Sequence, residues 1–293
     1  MGTELDSRGV DTHDPLWSAL ALTTAPEAVR QVHTDYLKAG ARVITTNTYQ
    51  ATLPALLRAG HDAHRAREVI AAGARLAGEA ARRFEAEHPE AQLLIAGGLG
   101  PYGAYLADGS EYTGVYDVGA LDAPVFRDVH LPRIEMLAGE GIDLFALETL
   151  PRLDEAQALV GAVEDLAAES ECWVSFQVRP DGAHLADGTP LAEAAAWAAD
   201  QETVVAVGVN CVAPDVVPRA LPVLREATTK PLVAYPNSGD LYDPATKTWK
   251  AGEEGDGLAA LAPSWGASGV RLIGGCCRTR PAQIRELAHA LSA

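Results

Sequence analysis

The chain has 293 residues, a hydrophobic fraction of 48% and a formal net charge of −17. That apolar content is ample for a core, and the length admits one large α/β domain. An acidic balance of this size excludes nucleic acid and anionic membrane as partners, since both require a basic surface.

No apolar run reaches the roughly 18 residues needed to span a bilayer, and no charged-then-apolar leader opens the chain. The protein is therefore expected to be soluble and cytoplasmic, with a monomer favoured although the sequence does not set the oligomeric state. Met1 to Gly9 shows no strand pattern. Val29, Val32, Tyr36 and Leu37 recur at helical spacing and predict a helix over 27–39. A Val/Ile/Thr-rich strand follows over 41–49, then a long helix over 61–87 with Val69, Ile70, Leu76, Ala80 and Phe84 on one face. The alternation continues with strands over 93–96, 144–150, 172–178, 204–211, 231–235 and 269–273. Helices are expected over 127–139, interrupted by Pro132, and over 153–169, 191–200, 218–228, 257–266 and 281–291.

The count is seven short strands, apolar on both faces and separated by helices, which is the pattern of a parallel sheet covered by helices. Seven βα units are one short of a (β/α)₈ TIM-type barrel; a doubly wound open sheet is the alternative. Polar residues collect at the C-terminal ends of the strands, which favours the barrel and places the chemistry there. No linker or repeat marks a second domain, so residues 1–293 read as a single barrel domain.

Those strand ends carry three of the four cysteines: Cys211 after Asn210, and Cys276-Cys277 after Gly274-Gly275. Four cysteines are too few for a disulfide scaffold, and adjacent cysteines rarely pair with each other. Two thiols delivered by one strand end, with a third from a nearby strand, suit zinc, and three ligands leave its fourth position open, as in catalytic sites. Cys172 begins its strand, on the opposite face, and reads as a core residue. Glu148 is the one carboxylate in the apolar strand Leu144–Leu150 and needs a positive or hydrogen-bonding partner. The remaining expected substrate contacts at strand ends are Thr46, Gln50, Tyr102, Asn210, Tyr235 and Asn237, with Gln50 or Asn47 also candidates for the open metal position. The match of 98–103 to G-x-G-x-x-G lacks the helix start that a dinucleotide site needs. It reads, with 108–114, as a turn and lid.

At Gly208-Val-Asn-Cys211, Gly274-Gly-Cys-Cys-Arg-Thr279, Glu148-Thr149 and Thr45-Thr-Asn-Thr-Tyr49, the chain resembles the homocysteine S-methyltransferase family over nearly its whole length. The stretches 100–112 and 235–239 look like the bacterial and plant members that use S-methylmethionine. The resemblance implies a (β/α)₈ barrel, one Zn²⁺ on Cys211, Cys276 and Cys277, and Glu148 on the amino group of homocysteine. It also implies methyl transfer to the homocysteine thiolate from a sulfonium donor, S-methylmethionine or S-adenosylmethionine, whose charge would meet aromatic faces such as Tyr102, Tyr105, Tyr235 or Trp17. Family members begin with a strand ending in Asp-Gly ahead of the position matched by Met1–Leu5; that strand is missing here, so the barrel is expected with its first strand truncated. The competing readings are a zinc-dependent barrel hydrolase and a non-catalytic thiol- or zinc-binding scaffold.

Overall fold

The strands form where Val, Ile, Leu and Ala run uninterrupted, because such segments are buried on both faces. The computed structural model describes every residue except 13, 118, 120–123, 244–247, 251–256 and 293. In chain order the strands are β1 (Val43–Thr45), β2 (Leu94–Leu99), β3 (Leu144–Leu150), β4 (Glu171–Phe176), β5 (Val204–Asn210), β6 (Leu232–Tyr235), a hairpin of β7 (Leu241–Asp243) with β8 (Thr248–Lys250), and β9 (Val270–Ile273). Seven of them make one parallel sheet in the order β1-β2-β3-β4-β5-β6-β9; the hairpin stands apart and antiparallel. Helices alternate with the sheet strands, among them Ala63–Glu87, Pro124–Gly139 and Pro281–Ser292. The fold is a TIM-type α/β barrel left open at one seam, since its edges β1 and β9 are not neighbours in the sheet.

Strand alternation sorts the side chains into two layers. Phe145, Leu147, Val174, Phe176, Val207 and Val209 point outward and join the main core beneath the helices. Ala96, Leu144, Ala146, Trp173, Ala206 and Val233 fill the barrel interior. Continuing that inner face by two residues along each strand reaches Glu148, Ser175 and Tyr235. The same alternation that packs the core therefore carries polar groups to the mouth.

Two expectations shift. The strand expected over 41–49 shortens to Val43–Thr45, because Thr46 and Thr48 turn to bond the neighbouring strand through their side chains: Thr48 Oγ1 donates to Gly98 O at 2.8 Å, and Gly98 N donates to Thr46 Oγ1 at 2.9 Å. The helix Pro124–Gly139 runs through Pro132 rather than breaking there. At the seam, a cavity of about 630 Å³ extends from the mouth down between β1 and β9, bounded outside by Ile284 and Leu287.

Candidate active site

Three backbone segments meet at one end of this cavity, and the loop after β6 ties them together. Cys211 N donates to Tyr235 O at 3.1 Å, and Asn237 Nδ2 donates to Cys211 O at 3.1 Å. On the other side of the same loop, Cys276 N donates to Pro236 O at 2.7 Å and Ser238 N to Cys277 O at 3.1 Å. These bonds hold Cys211 at φ 53°, a left-handed conformation that costs a β-substituted residue free energy unless its surroundings enforce it. Beneath it, Gly208 lets β5 and β6 close up; a Cβ there would fall 1.7 Å from Val233 O.

The outcome is a cluster of sulfurs. Cys211 Sγ lies 3.7 Å from Cys277 Sγ, Cys276 Sγ lies 4.0 Å from Cys277 Sγ, and all three are within 4.8 Å of one another. A tetrahedral ion with metal–sulfur bonds of ~2.3 Å sets its sulfurs about 3.8 Å apart, so the three thiols are spaced to hold a soft metal ion. Hydrogen bonds among the thiols lower one partner and raise another, while burial and mutual charge leave all three well above the ordinary thiol range. Three adjoining thiolates need a cation between them. Cys172 is fully buried at the base of β4 and takes no part.

Glu148 faces the cavity from β3 and is 9% exposed. Burial pushes its pKa up to about 7, opposed by a hydrogen bond from Tyr235. The Tyr235 hydroxyl is itself fixed by Trp173 Nε1, which donates to it at 3.0 Å, and by Ser175 Oγ at 2.5 Å. Next to Glu148, Thr149 has φ 61° and is clamped from β5: its N–H donates to Asn210 Oδ1 at 2.7 Å, and Asn210 Nδ2 donates to Thr149 Oγ1 at 2.8 Å.

Of the residues singled out from sequence, Thr46, Gln50, Glu148, Tyr235 and the three cysteines line the cavity. Tyr102, Asn210 and Asn237 do not, each for a physical reason. The Tyr102 ring packs among Tyr105, Tyr116 and Phe126, and its N–H donates to Glu155 Oε1 at 2.5 Å. Both amide atoms of Asn210 are spent on Thr149, and Asn237 is spent on Cys211 O and Gly239 N. Tyr105 is likewise turned outward, to Arg58. Gln50 Nε2 donates to Ala104 O at 2.7 Å and Asn47 Nδ2 to Ser18 O at 2.8 Å, so both side chains brace loops while lining the cavity.

Sequence reasoning passed over Tyr49, Glu111 and Tyr112, all of which line the cavity. Trp17, singled out earlier, does line it, and packs edge-on to Tyr49 with centroids 6.4 Å apart. The Tyr112 hydroxyl lies 3.8 Å from Cys211 Sγ. Glu111 and Tyr112 fall inside the stretch 100–112 that carries the family resemblance, but nothing in it beyond loop polarity, which solvated loops share, picks out these two.

Three converging thiols, a buried carboxylate and an aromatic mouth on a TIM-type barrel define a metal-competent pocket suited to a thiol substrate. Comparison with known proteins gives the class its name: the homocysteine S-methyltransferase family model matches residues 1–291. The homocysteine S-methyltransferase of Escherichia coli strain K12 is 46% identical over 98% of this chain and 92% of its own, and YbgG of Bacillus subtilis strain 168, of the same description, is 41% identical over 98% and 91%. The crystal structure of the homocysteine methyltransferase MmuM from Escherichia coli in its metallated form superposes with a TM-score of 0.87 at 43% identity, covering 99% of this chain and 93% of that one. The chain belongs to the homocysteine S-methyltransferase family and is an enzyme of that activity. Its substrates are accordingly small molecules, and no described helix is long and apolar enough to cross a membrane.

Proposed function

We propose that the enzyme moves a methyl group from S-methylmethionine, with S-adenosylmethionine as a second donor, to L-homocysteine, and that Cys211, Cys276 and Cys277 hold the zinc ion this requires. The observation that carries the reading is the three-thiol cluster, spaced for a tetrahedral ion, in the same cavity as Glu148. A zinc ion bound there would lower the pKa of a substrate thiol so that it reacts as the thiolate at neutral pH.

The chain's own residues supply position and environment. Glu148, held by Tyr235, is placed to accept the homocysteine ammonium, and that cation would return its pKa toward the ordinary carboxylate range. With the amino-acid end fixed, the sulfur lies close to the methyl carbon, and bringing two reactants together in line removes much of the entropic barrier. The new bond joins the homocysteine sulfur to the methyl carbon as the donor's methyl–sulfur bond breaks, its electron pair returning to the donor sulfur. The leaving group is a neutral thioether, so no acid is needed to release it. The aromatic side chains Tyr49, Tyr112 and Trp17 line the cavity, and a cationic sulfur bound there would find rings to stack against and less water. A hydrolase reading finds no His or additional carboxylate beside the three thiols among the described residues.

Cys276→Ser should lose zinc and methyl transfer together; full activity in a zinc-free variant would sink this mechanism. Methionine formation from S-methylmethionine, S-adenosylmethionine, betaine and methyl-folate, measured side by side, tests the donor. A preference for betaine or folate would overturn the sulfonium reading.

A further inference from the structure

The cavity holds a second carboxylate that the transfer to homocysteine leaves unused. Glu111 lines it from the short 3-10 turn Ser110–Tyr112, outside the ring of strand ends. Its Oε2 is fully buried and has no hydrogen-bond partner. Its own backbone N–H supports the carboxyl, and among the described residues the charged group that acts on it is Asp108, of the same sign. Burial holds its pKa up at about 7. A carboxylate oxygen kept from water and left without a donor is costly, and it calls for a cationic group that arrives with the substrate.

The turn is built to hold Glu111 there. Gly103 allows the helix Tyr102–Leu106 to lie flat against it; a Cβ at Gly103 would fall 2.5 Å from Glu111 N. Ala107 and Gly109 both take left-handed conformations, at φ 57° and 87°, to turn the chain back over the helix.

Glu148 and Glu111 reach the cavity from different elements, β3 and the 3-10 turn. Glu148 lies on the barrel's inner face, where its charge is felt by Cys276 and by Tyr235. Glu111 sits beside Tyr112, whose hydroxyl is 3.8 Å from Cys211 Sγ and which feels its charge, while Tyr49 feels both carboxylates. In an in-line transfer the two amino-acid ends point away from each other across the methyl group. One inner carboxylate and one outer carboxylate match that arrangement.

We propose that Glu111 is the specificity residue for the methyl donor, accepting a hydrogen bond from the donor's α-ammonium group. The inference rests on the reading above that the donor is a sulfonium amino acid. It explains why a carboxylate oxygen with no donor among the described residues is buried in the cavity. It also distinguishes donors that share the same reactive sulfur by whether they carry an ammonium group.

The test compares S-methylmethionine with 4-(dimethylsulfonio)butanoate, which is the same sulfonium without the ammonium, on the zinc-loaded enzyme. Glu111→Gln should raise KM for S-methylmethionine roughly 10- to 100-fold, the usual effect of losing a charged hydrogen bond. It should leave KM for the butanoate, KM for homocysteine and zinc content unchanged. The unaltered enzyme should show a similar KM difference between the two donors, a measurement that does not depend on the variant's folding. Equal losses on both donors, a loss confined to homocysteine, or no loss at all would each overturn the proposal. If the unaltered enzyme makes no methionine from S-methylmethionine or S-adenosylmethionine, the donor reading itself falls, and the inference falls with it before any variant is made. If it uses S-adenosylmethionine alone, the same comparison is scored on that donor and its deaminated analogue.

Discussion

Glu148 illustrates how one residue can be both a cost and a tool. In the ligand-free protein its pKa is pushed up to about 7, against an ordinary 4.5, chiefly by burial. The folded state thus keeps its proton to a higher pH than the unfolded chain does. The associated stability is fully present below pH 4.5 and is lost as pH rises through 7, when the carboxylate must ionise inside the barrel with the Tyr235 hydroxyl and the Met1 ammonium only partly offsetting burial. Glu148→Gln removes that loss. The variant should gain on the unaltered ligand-free protein by about 2–4 kcal/mol at pH 8, and by little at pH 4.5. Urea titrations across this range would show the gap opening; a gap that stays constant with pH would rule out ionisation as its cause. The same substitution should raise KM for homocysteine roughly 10- to 100-fold, since the ammonium loses a charged partner. A stabilised protein with impaired binding is the pattern expected of a residue kept for function.

At the scale of elements, the mouth is held from behind by one helix. Arg133, fully buried in Pro124–Gly139, donates to Tyr49 O at 2.7 Å and Gly100 O at 3.1 Å, while its Nε reaches back to Val129 O at 3.1 Å. One guanidinium thereby fastens the loops after β1 and β2, the loops that carry Tyr49 and Gly100, to the helix before β3. Burial lowers its pKa to about 10, which still leaves it charged at neutral pH. Arg133→Met should destabilise the protein by about 3–5 kcal/mol, because it strands buried carbonyls and removes the charge facing Glu155. Chemical denaturation would measure this, and a loss below about 1 kcal/mol would show that the loops hold without it. Such a clamp leaves little trace in a sequence: Arg133 stands among Arg, Asp and Glu residues whose side chains are usually solvated. The elements themselves were readable, because each depends on a local period of two or 3.6 residues. The three thiols were readable too, since an adjacent cysteine pair has few uses. What could not be read is how polar side chains divide their bonds. Asn210 and Asn237 sit where substrate contacts belong, and they are spent holding Thr149 and Cys211 in left-handed conformations that no local pattern announces.

At the scale of the molecule, the open seam and the sulfur cluster are connected. β9 ends the sheet: it is paired with β6 on one side and faces the cavity on the other. An edge strand with one neighbour should be among the first parts of the sheet to open. Cys276 and Cys277 follow directly on β9, whereas Cys211 follows β5 within the sheet. A metal ion shared by these three thiols would therefore tie the free edge to the interior, adding to the backbone bonds that the loop after β6 already supplies. Any ligand bound only by the folded state stabilises it according to its concentration and affinity. Here the gain should also be local. Chelating the metal should lower the melting temperature and speed amide exchange in β9 and in the helix Pro281–Ser292 packed beyond it. Exchange in β3, β4 and β5, each paired on both sides, should change little. In Cys211→Ser the edge should exchange fast with or without added zinc, because the link to the interior is gone. Uniform loss of protection across the sheet on chelation would mean that the barrel unfolds as one unit. It would then be the whole fold, and not its free edge, that the three thiols secure.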